Sequence, residues 1–370
     1  MSGPGSAQRP ARTGWVDVLR PRRRAAVAPP PVIYRWDLDK TYLKSNFESL
    51  GKMMRVPFER AEDKIDEPGV VALMRALRAS ARAEGRRVLV YFVSASPPQI
   101  GRAIREKLAL DGVEIDGIVF KDQLQHLVRG RFRFLREQVG FKLAELLKAR
   151  LVAPAGAAEY LFGDDWESDA LCYSIYADIV SGRLDPQALG DILVRLRIDP
   201  ARLIEIRALA RRVPTEDAVR RIFINLERRT PPGRFRNFGA RLVPTFNYFQ
   251  TALVLHEEGM VPLAAVVAVG HSLIERAAYT RGQLRNSLDD LVRRGHLRHA
   301  DLPLRRDLEE AGVLPSLAAQ GSWSQRLWRR LRRRRPVPKV TANRPAVVID
   351  YPRLVDAWLA SGGRPGEATS

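Results

Sequence analysis

A chain of 370 residues, 45% hydrophobic and 28% charged, is long enough for two ordinary domains and can bury a core of useful size. Its single cysteine, Cys172, excludes an intramolecular disulfide and any multi-cysteine zinc site, and its five histidines are scattered without ligand spacing. The formal net charge of +20 points to an anionic partner, either nucleic acid or a membrane surface, with a GC-rich coding bias toward arginine as the plain alternative.

Residues 1–30 form a basic, Pro-rich leader, expected to be disordered, without the apolar core of a secretory signal. Residues 31–183 then alternate strand and helix. "VIYRW" is short, β-branched or aromatic, and reads as a buried strand. "EPGVVALMRALRASARAEG" reads as a helix, "RRVLVYFVS" as a second strand, and "PPQIGRAIREKLALDG" as a helix closed by Gly112. "IDGIVF" and "AEYLFG" follow as strands, each succeeded by a helix, "GFKLAELLKARL" opened by Lys142 and "WESDALCYSIYADIVSG" ending at Gly182. Such alternation predicts an α/β fold, a parallel sheet with helices on both faces and ligands beyond the carboxyl ends of its strands.

From 184 to 312 the spacing predicts an all-helical domain without strands. "DPARLIEIRALARR" opens with Asp199 as a cap and Pro200 at the first helical position. "TEDAVRRIFINLERR", "PTFNYFQTALVLHEEG" and "PLAAVVAVGHSLIERAAYTRGQLRNSLDDLVRRG" also carry helical spacing. The apolar run at 260–274 falls short of the roughly 20 residues a bilayer requires, so no membrane span is expected. Residues 313–370 form a basic, Pro-rich segment with short helices, the last around "PRLVDAWLAS". Within it, Trp323, Leu327 and Leu331 fall on one helical face among arginines, so 323–335 reads as an interfacial helix for anionic membranes, or else as a solvated basic tail.

The chemistry gathers at the strand ends. The first strand stops on Asp37 and Asp39, which alternation points the same way while Leu38 turns to the core. Two carboxylates facing one place need a cation between them, and hard oxygen ligands suit Mg²⁺. The second strand delivers Ser94 to the same edge; the fourth delivers Asp164, Asp165 and, one helical turn on, Asp169. Thr41 reads either as a cap or as a support of its loop. Cys172, on the following helix, reads as a buried small hydrophobe.

"WDLDKT", "FVSAS", Lys142 and "GDDWESD" together resemble the four motifs of the haloacid dehalogenase superfamily, mostly Mg²⁺-dependent phosphatases, over roughly residues 32–183. More loosely, "EPGVVALMRAL", "VYFVSASP" and "FGDDWESDALCYSIYADI" resemble the lipin-related, actin-patch type of phosphatidate phosphatase domain, with Lys40 standing where that group carries an acidic residue. The resemblance implies a Rossmann-like sheet and covalent phosphoryl transfer, with Asp37 as nucleophile and Asp39 as acid and base. It implies Mg²⁺ held by Asp37, the Asp39 carbonyl and Asp164, with Asp169 or Asp165 ordering its waters. Ser94 and Lys142 would bind the transferring oxygens. The short stretches between these motifs leave no room for a large cap, which suits a bulky substrate such as a lipid phosphate. Three functions follow as expectations for a cytoplasmic, peripherally membrane-associated protein: a phosphatidate-type phosphatase, a phosphatase of nucleic-acid ends, or a catalytically silent scaffold. The sequence carries no signal of oligomeric state.

Overall fold

The computed structural model describes residues 29–38, 41–42, 66–94, 101–120, 131–166, 168–298, 302–316 and 348–361. Residues 1–28 of the leader, Asp39, Lys40 and the arginine cluster at 323–335 lie outside these residues. Six strands form one parallel sheet: β1 (Val32–Asp37), β2 (Val88–Ser94), β3 (Gly117–Phe120), β4 (Ala158–Asp164), β5 (Val219–Asn225) and β6 (Leu242–Thr245). Their order is β3-β2-β1-β4-β5-β6, the doubly wound arrangement of a Rossmann-like α/β fold.

Two helical layers cover the sheet. One packs α1 (Val70–Ala83) and α2 (Gly101–Leu110) beside α7 (Tyr248–Glu257), α8 (Leu263–Ala277), α9 (Arg281–Arg294) and α10 (Leu302–Glu310). The other packs α3 (Arg131–Leu151), α4 (Asp169–Val180), α5 (Pro186–Arg195), α6 (Pro200–Ala210), a 3₁₀ turn (Pro232–Phe238) and α11 (Tyr351–Ala360). Asp199 caps α6 as expected, and Asp185 caps α5 in the same way, each accepting two backbone N–H groups with proline at the first helical position. Among the described residues no helix is long and apolar enough to cross a membrane.

The expectation of an all-helical 184–312 is corrected at two places. Val219–Asn225, read as helix, is a central strand paired to β4. Its middle, Ile222–Ile224, is buried on both faces, and such strands read as continuous apolar runs rather than alternating ones. Leu242–Thr245 then adds the edge strand, where Pro244 leaves no inner ladder bond unmade. The boundary expected at 183/184 therefore does not separate two cores, since both halves build one sheet. The helical spacing expected over 262–295 is divided between two helices: Ala278 turns into the left-handed region (φ 53°), and Thr280 and Gln283 form a capping box that starts α9.

An aromatic ladder fixes the strand ends. Trp36, Phe162 and Phe223 lie in register on neighbouring strands β1, β4 and β5. Their rings stack at centroid distances of 3.8 and 5.2 Å, under the layer that contains α7. Each such pair contributes about 0.5–1.5 kcal/mol beyond its burial. Asp37, the residue after Trp36, therefore leaves β1 on the opposite face, toward α3 and α4.

Candidate active site at the carboxyl edge of the sheet

The chain reverses its winding between β1 and β4, the switch point beyond whose carboxyl strand ends open α/β sheets bind their ligands. Asp37 ends β1, Asp164 ends β4, and Asp169 is the first residue of α4. Carboxylate oxygens of these three buried residues lie within 4.8 Å of one another. Gly163 makes this approach possible, because a Cβ there would stand 2.4 Å from Asp169 Oδ2. Asp169 Oδ2 instead accepts the Asp164 backbone N–H at 3.3 Å, and Asp164 Oδ1 accepts that of Trp166 at 2.6 Å.

Lys142 reaches into the cluster from α3, from well inside the helix rather than from its start. Its fully buried Nζ stands 2.8 Å from Asp37 Oδ1 and 2.6 Å from Asp169 Oδ1. Within this foursome, three carboxylates against one ammonium leave a formal charge of −2. A buried set of oxygen donors with that charge matches a hard divalent cation such as Mg²⁺, which prefers carboxylates and keeps waters of its own.

Ser94, buried, ends β2, one residue past the position paired with Asp37. It thus sits at the same edge as the sequence places it. Asp165 does not join the triad. Its two oxygens accept the backbone N–H groups of Arg228 at 2.9 Å and Thr230 at 3.1 Å, so it secures the turn after β5 rather than facing the carboxylate cluster. Thr41 is buried, and its carbonyl accepts a hydrogen bond from the Tyr248 hydroxyl. Cys172 is fully buried; burial, then the nearby Asp169, pushes its thiol well above the usual range, which leaves it inert.

Three features of this edge escaped the sequence reading. Asn225 ends β5 opposite Asp164 in register, hidden by the helical reading of its segment. Arg228 stands with its guanidinium 4.1 Å from the centre of the Trp166 ring, a cation–π pair on the rim. Tyr248 comes from the start of α7, and burial, followed by the carboxylates of Glu67, Asp164, Asp37 and Glu227, holds its phenol protonated. No local signal marks it, since its partner Thr41 lies 207 residues away. Comparison with protein-family models, with curated proteins and with solved structures finds no match to this chain.

Proposed function

We propose that the protein is a Mg²⁺-dependent phosphomonoester hydrolase of the haloacid dehalogenase type, acting through an aspartyl-phosphate at Asp37. The observation that carries this reading is the bridge of Lys142 between Asp37 and Asp169, with Asp164 beside them, at the switch point of a parallel sheet. A carboxylate nucleophile, a fixed cation and an all-oxygen donor set are what phosphoryl transfer requires, since its catalysis is mostly positioning and charge stabilisation.

In this mechanism an Asp37 oxygen attacks phosphorus and the ester P–O bond breaks, while Asp39 gives its proton to the departing oxygen. Asp39 then takes a proton from water, whose oxygen attacks phosphorus and releases Asp37 and inorganic phosphate. Lys142 and Ser94 orient the transferring oxygens. Asp37, Asp164 and Asp169 would hold the Mg²⁺, which when bound offsets charge between carboxylates and phosphate. Asp165 has a separate part, holding the Arg228–Thr230 turn at the rim.

For the substrate we favour phosphatidate or a related lipid phosphate, on the looser motif resemblance and the basic, Trp-containing 323–335 segment, which would bring a cytoplasmic protein to an anionic membrane surface. The net charge of +20 favours a second substrate, a nucleic-acid end. Phosphate release is to be measured with Mg²⁺ on phosphatidate in mixed vesicles, on 5′-phosphorylated oligonucleotides and on p-nitrophenyl phosphate. Asp37→Asn should abolish release from each while the protein stays folded, and excess chelator should stop the wild type. Turnover by pure Asp37→Asn, or full activity in chelator, overturns the reading; absence of turnover on every phosphomonoester leaves the silent scaffold.

A further inference from the structure

The turn that leaves β5 is joined to the end of β4 by one buried carboxylate. The Asp165 N–H donates to the Asn225 carbonyl at 3.1 Å, and the Asp165 oxygens accept the Arg228 N–H at 2.9 Å and the Thr230 N–H at 3.1 Å. Asp165 is 1% exposed and directly follows Asp164, so the turn is set in place relative to the triad. Next along the chain, Trp166 donates its N–H to Asp164 Oδ1 and carries the Arg228 guanidinium over its ring at 4.1 Å. A buried carboxylate that loses such partners is left unsatisfied at high cost, so the joint resists displacement.

Arg229 stands at the centre of this clamp, between the two N–H groups that Asp165 holds. Its own N–H closes the turn on the Leu226 carbonyl at 2.9 Å. Its φ of 56° lies in the left-handed region, which glycine or asparagine enters at less cost. Arg229 is exposed, and Arg228 is half-buried against Trp166. The one acid of the turn, Glu227, has its Oε2 buried and acts on the Tyr248 phenol. At the carboxyl edge of the sheet the turn therefore carries two guanidiniums, while its carboxylate is drawn inward.

We propose that the turn at 226–230 is a subsite for a second phosphate group of the substrate, with Arg229 and Arg228 as its cations and Asp165 as the residue that positions them. The proposal rests on the phosphatase reading and narrows its substrate class to phosphomonoesters that carry another phosphate, such as a phosphodiester, close to the scissile one. Charge gives the reason. Three carboxylates, Lys142 and one divalent cation sum to a formal charge of zero, so negative charge beyond the scissile group must be met outside the cluster. Guanidinium forks match phosphate oxygens in pairs, and a fixed turn holds them ready. The second phosphate has two possible sources, the first diester of a nucleotide chain or the diester of a phosphorylated lipid headgroup.

Two pairs of soluble substrates, each differing by one diester, test this through kcat/KM with Mg²⁺. One pair is a nucleoside 5′-phosphate and a 5′-phosphorylated dinucleotide; the other is inositol 4-phosphate and glycerophosphoinositol 4-phosphate. In at least one pair the diester-bearing member should be preferred by about 10- to 100-fold, the scale of a charge-assisted contact, and that pair names the source. Arg229→Gln should cut the preference by about tenfold, chiefly through KM, and Arg228→Gln with Arg229→Gln should remove it. Arg229→Lys should keep part of it, because an ammonium retains the charge without the fork. Asp165→Asn keeps both arginines but sets an amide NH₂ against one N–H of the turn, and it should lose the preference too, in a protein that a thermal melt shows to be folded. No preference in an active wild type, or one that survives the double substitution, overturns the proposal while the phosphatase reading stands. Full preference in folded Asp165→Asn overturns the positioning role. A folded wild type that releases phosphate from no phosphomonoester overturns the phosphatase reading and this inference with it.

Discussion

Gly163 shows how one absent side chain shapes the carboxylate cluster. The five-residue offset from Asp164 to Asp169 lets the chain turn from strand to helix and bring the second carboxylate back over the first. A methyl group at 163 would meet Asp169 at its Cβ, 2.6 Å away, as well as at its carboxylate. Asp169 sits at the rigid start of α4, so it has little freedom to yield. Gly163→Ala should weaken Mg²⁺ binding by about 10- to 100-fold, as displacement of a supporting group at a metal site typically does. Calorimetric titration with Mg²⁺ alone checks this, and an unchanged isotherm would place Asp169 outside the metal site. Arg35 teaches the converse lesson. It lies inside a strand read as apolar, fully buried, with a bidentate pair to Glu159 at 2.9 and 3.1 Å. Arg150 and Tyr176 complete the partners of that carboxylate. Burial alone would push the Arg35 guanidinium toward neutrality, but Glu159 holds it charged. Nothing within "VIYRW" announces a partner 124 residues away.

At the scale of elements, the two ends of the segment between β1 and α1 are tied together and to both neighbouring helices. The Glu67 N–H donates to the Tyr42 carbonyl at 2.8 Å, and Tyr42 donates to Asp111 at the end of α2. Asp66 takes a bidentate contact from Arg276 of α8 at 2.7 and 2.9 Å, and Lys107 of α2 lies 3.7 Å from it. Burial pushes the Asp66 carboxyl up, but Arg276 and Lys107 more than offset it and hold the carboxyl below its ordinary 3.8. A carboxyl depressed on folding adds stability above its unfolded value and loses it as pH falls through the folded value. The tie between stem and α8 should therefore be intact at neutral pH and fade only below 3.8. Because Arg276 is half-exposed, solvent screens the pair, and Asp66→Asn should lower Tm at pH 7 by only about 2 °C. The difference between variant and wild type should shrink as the pH is taken below 3.8, which a series of thermal melts would show. An equal deficit at every pH would mean that packing, not charge, holds the stem.

For the molecule as a whole, the single six-stranded sheet has a consequence for how the chain divides. A fragment ending at 183 would leave β4 as an open edge, stripped of its seven-residue partner β5. It would also uncover Trp36 and Phe162, which α7 and its neighbours shield. Such a fragment should lack a cooperative melt and bind a hydrophobic dye, whereas the full chain should melt cooperatively. A sharply melting fragment would restore the boundary at 183/184. The final helix belongs to the same body. Tyr351, Leu354, Val355 and Trp358 of α11 pack into the core on the α4 and α5 side, and the Tyr351 hydroxyl donates to Asp178 of α4 at 2.8 Å.

What the sequence determined by itself was local. Period and punctuation placed β1 to β4, the cap at Asp199 opened its helix, and strand alternation sent Asp37 and Leu38 to opposite sides, because each depends on residues a few positions apart. The convergence of Asp164 and Asp169 was also legible, since one turn of chain joins them. The tertiary structure decided what depends on distant neighbours. Val219–Asn225 is a strand because β4 and β6 pair with it and helices bury both its faces, which erases the alternation that marks a half-exposed strand. Asp165 was drawn away from the carboxylate cluster by two N–H groups of a turn more than sixty residues on. Tyr248 reached Thr41 by the packing of α7 beneath β1 and β4. In each case a long-range hydrogen bond or a buried face overrode what the neighbouring residues alone prescribe, and such contacts leave no periodic trace in the chain.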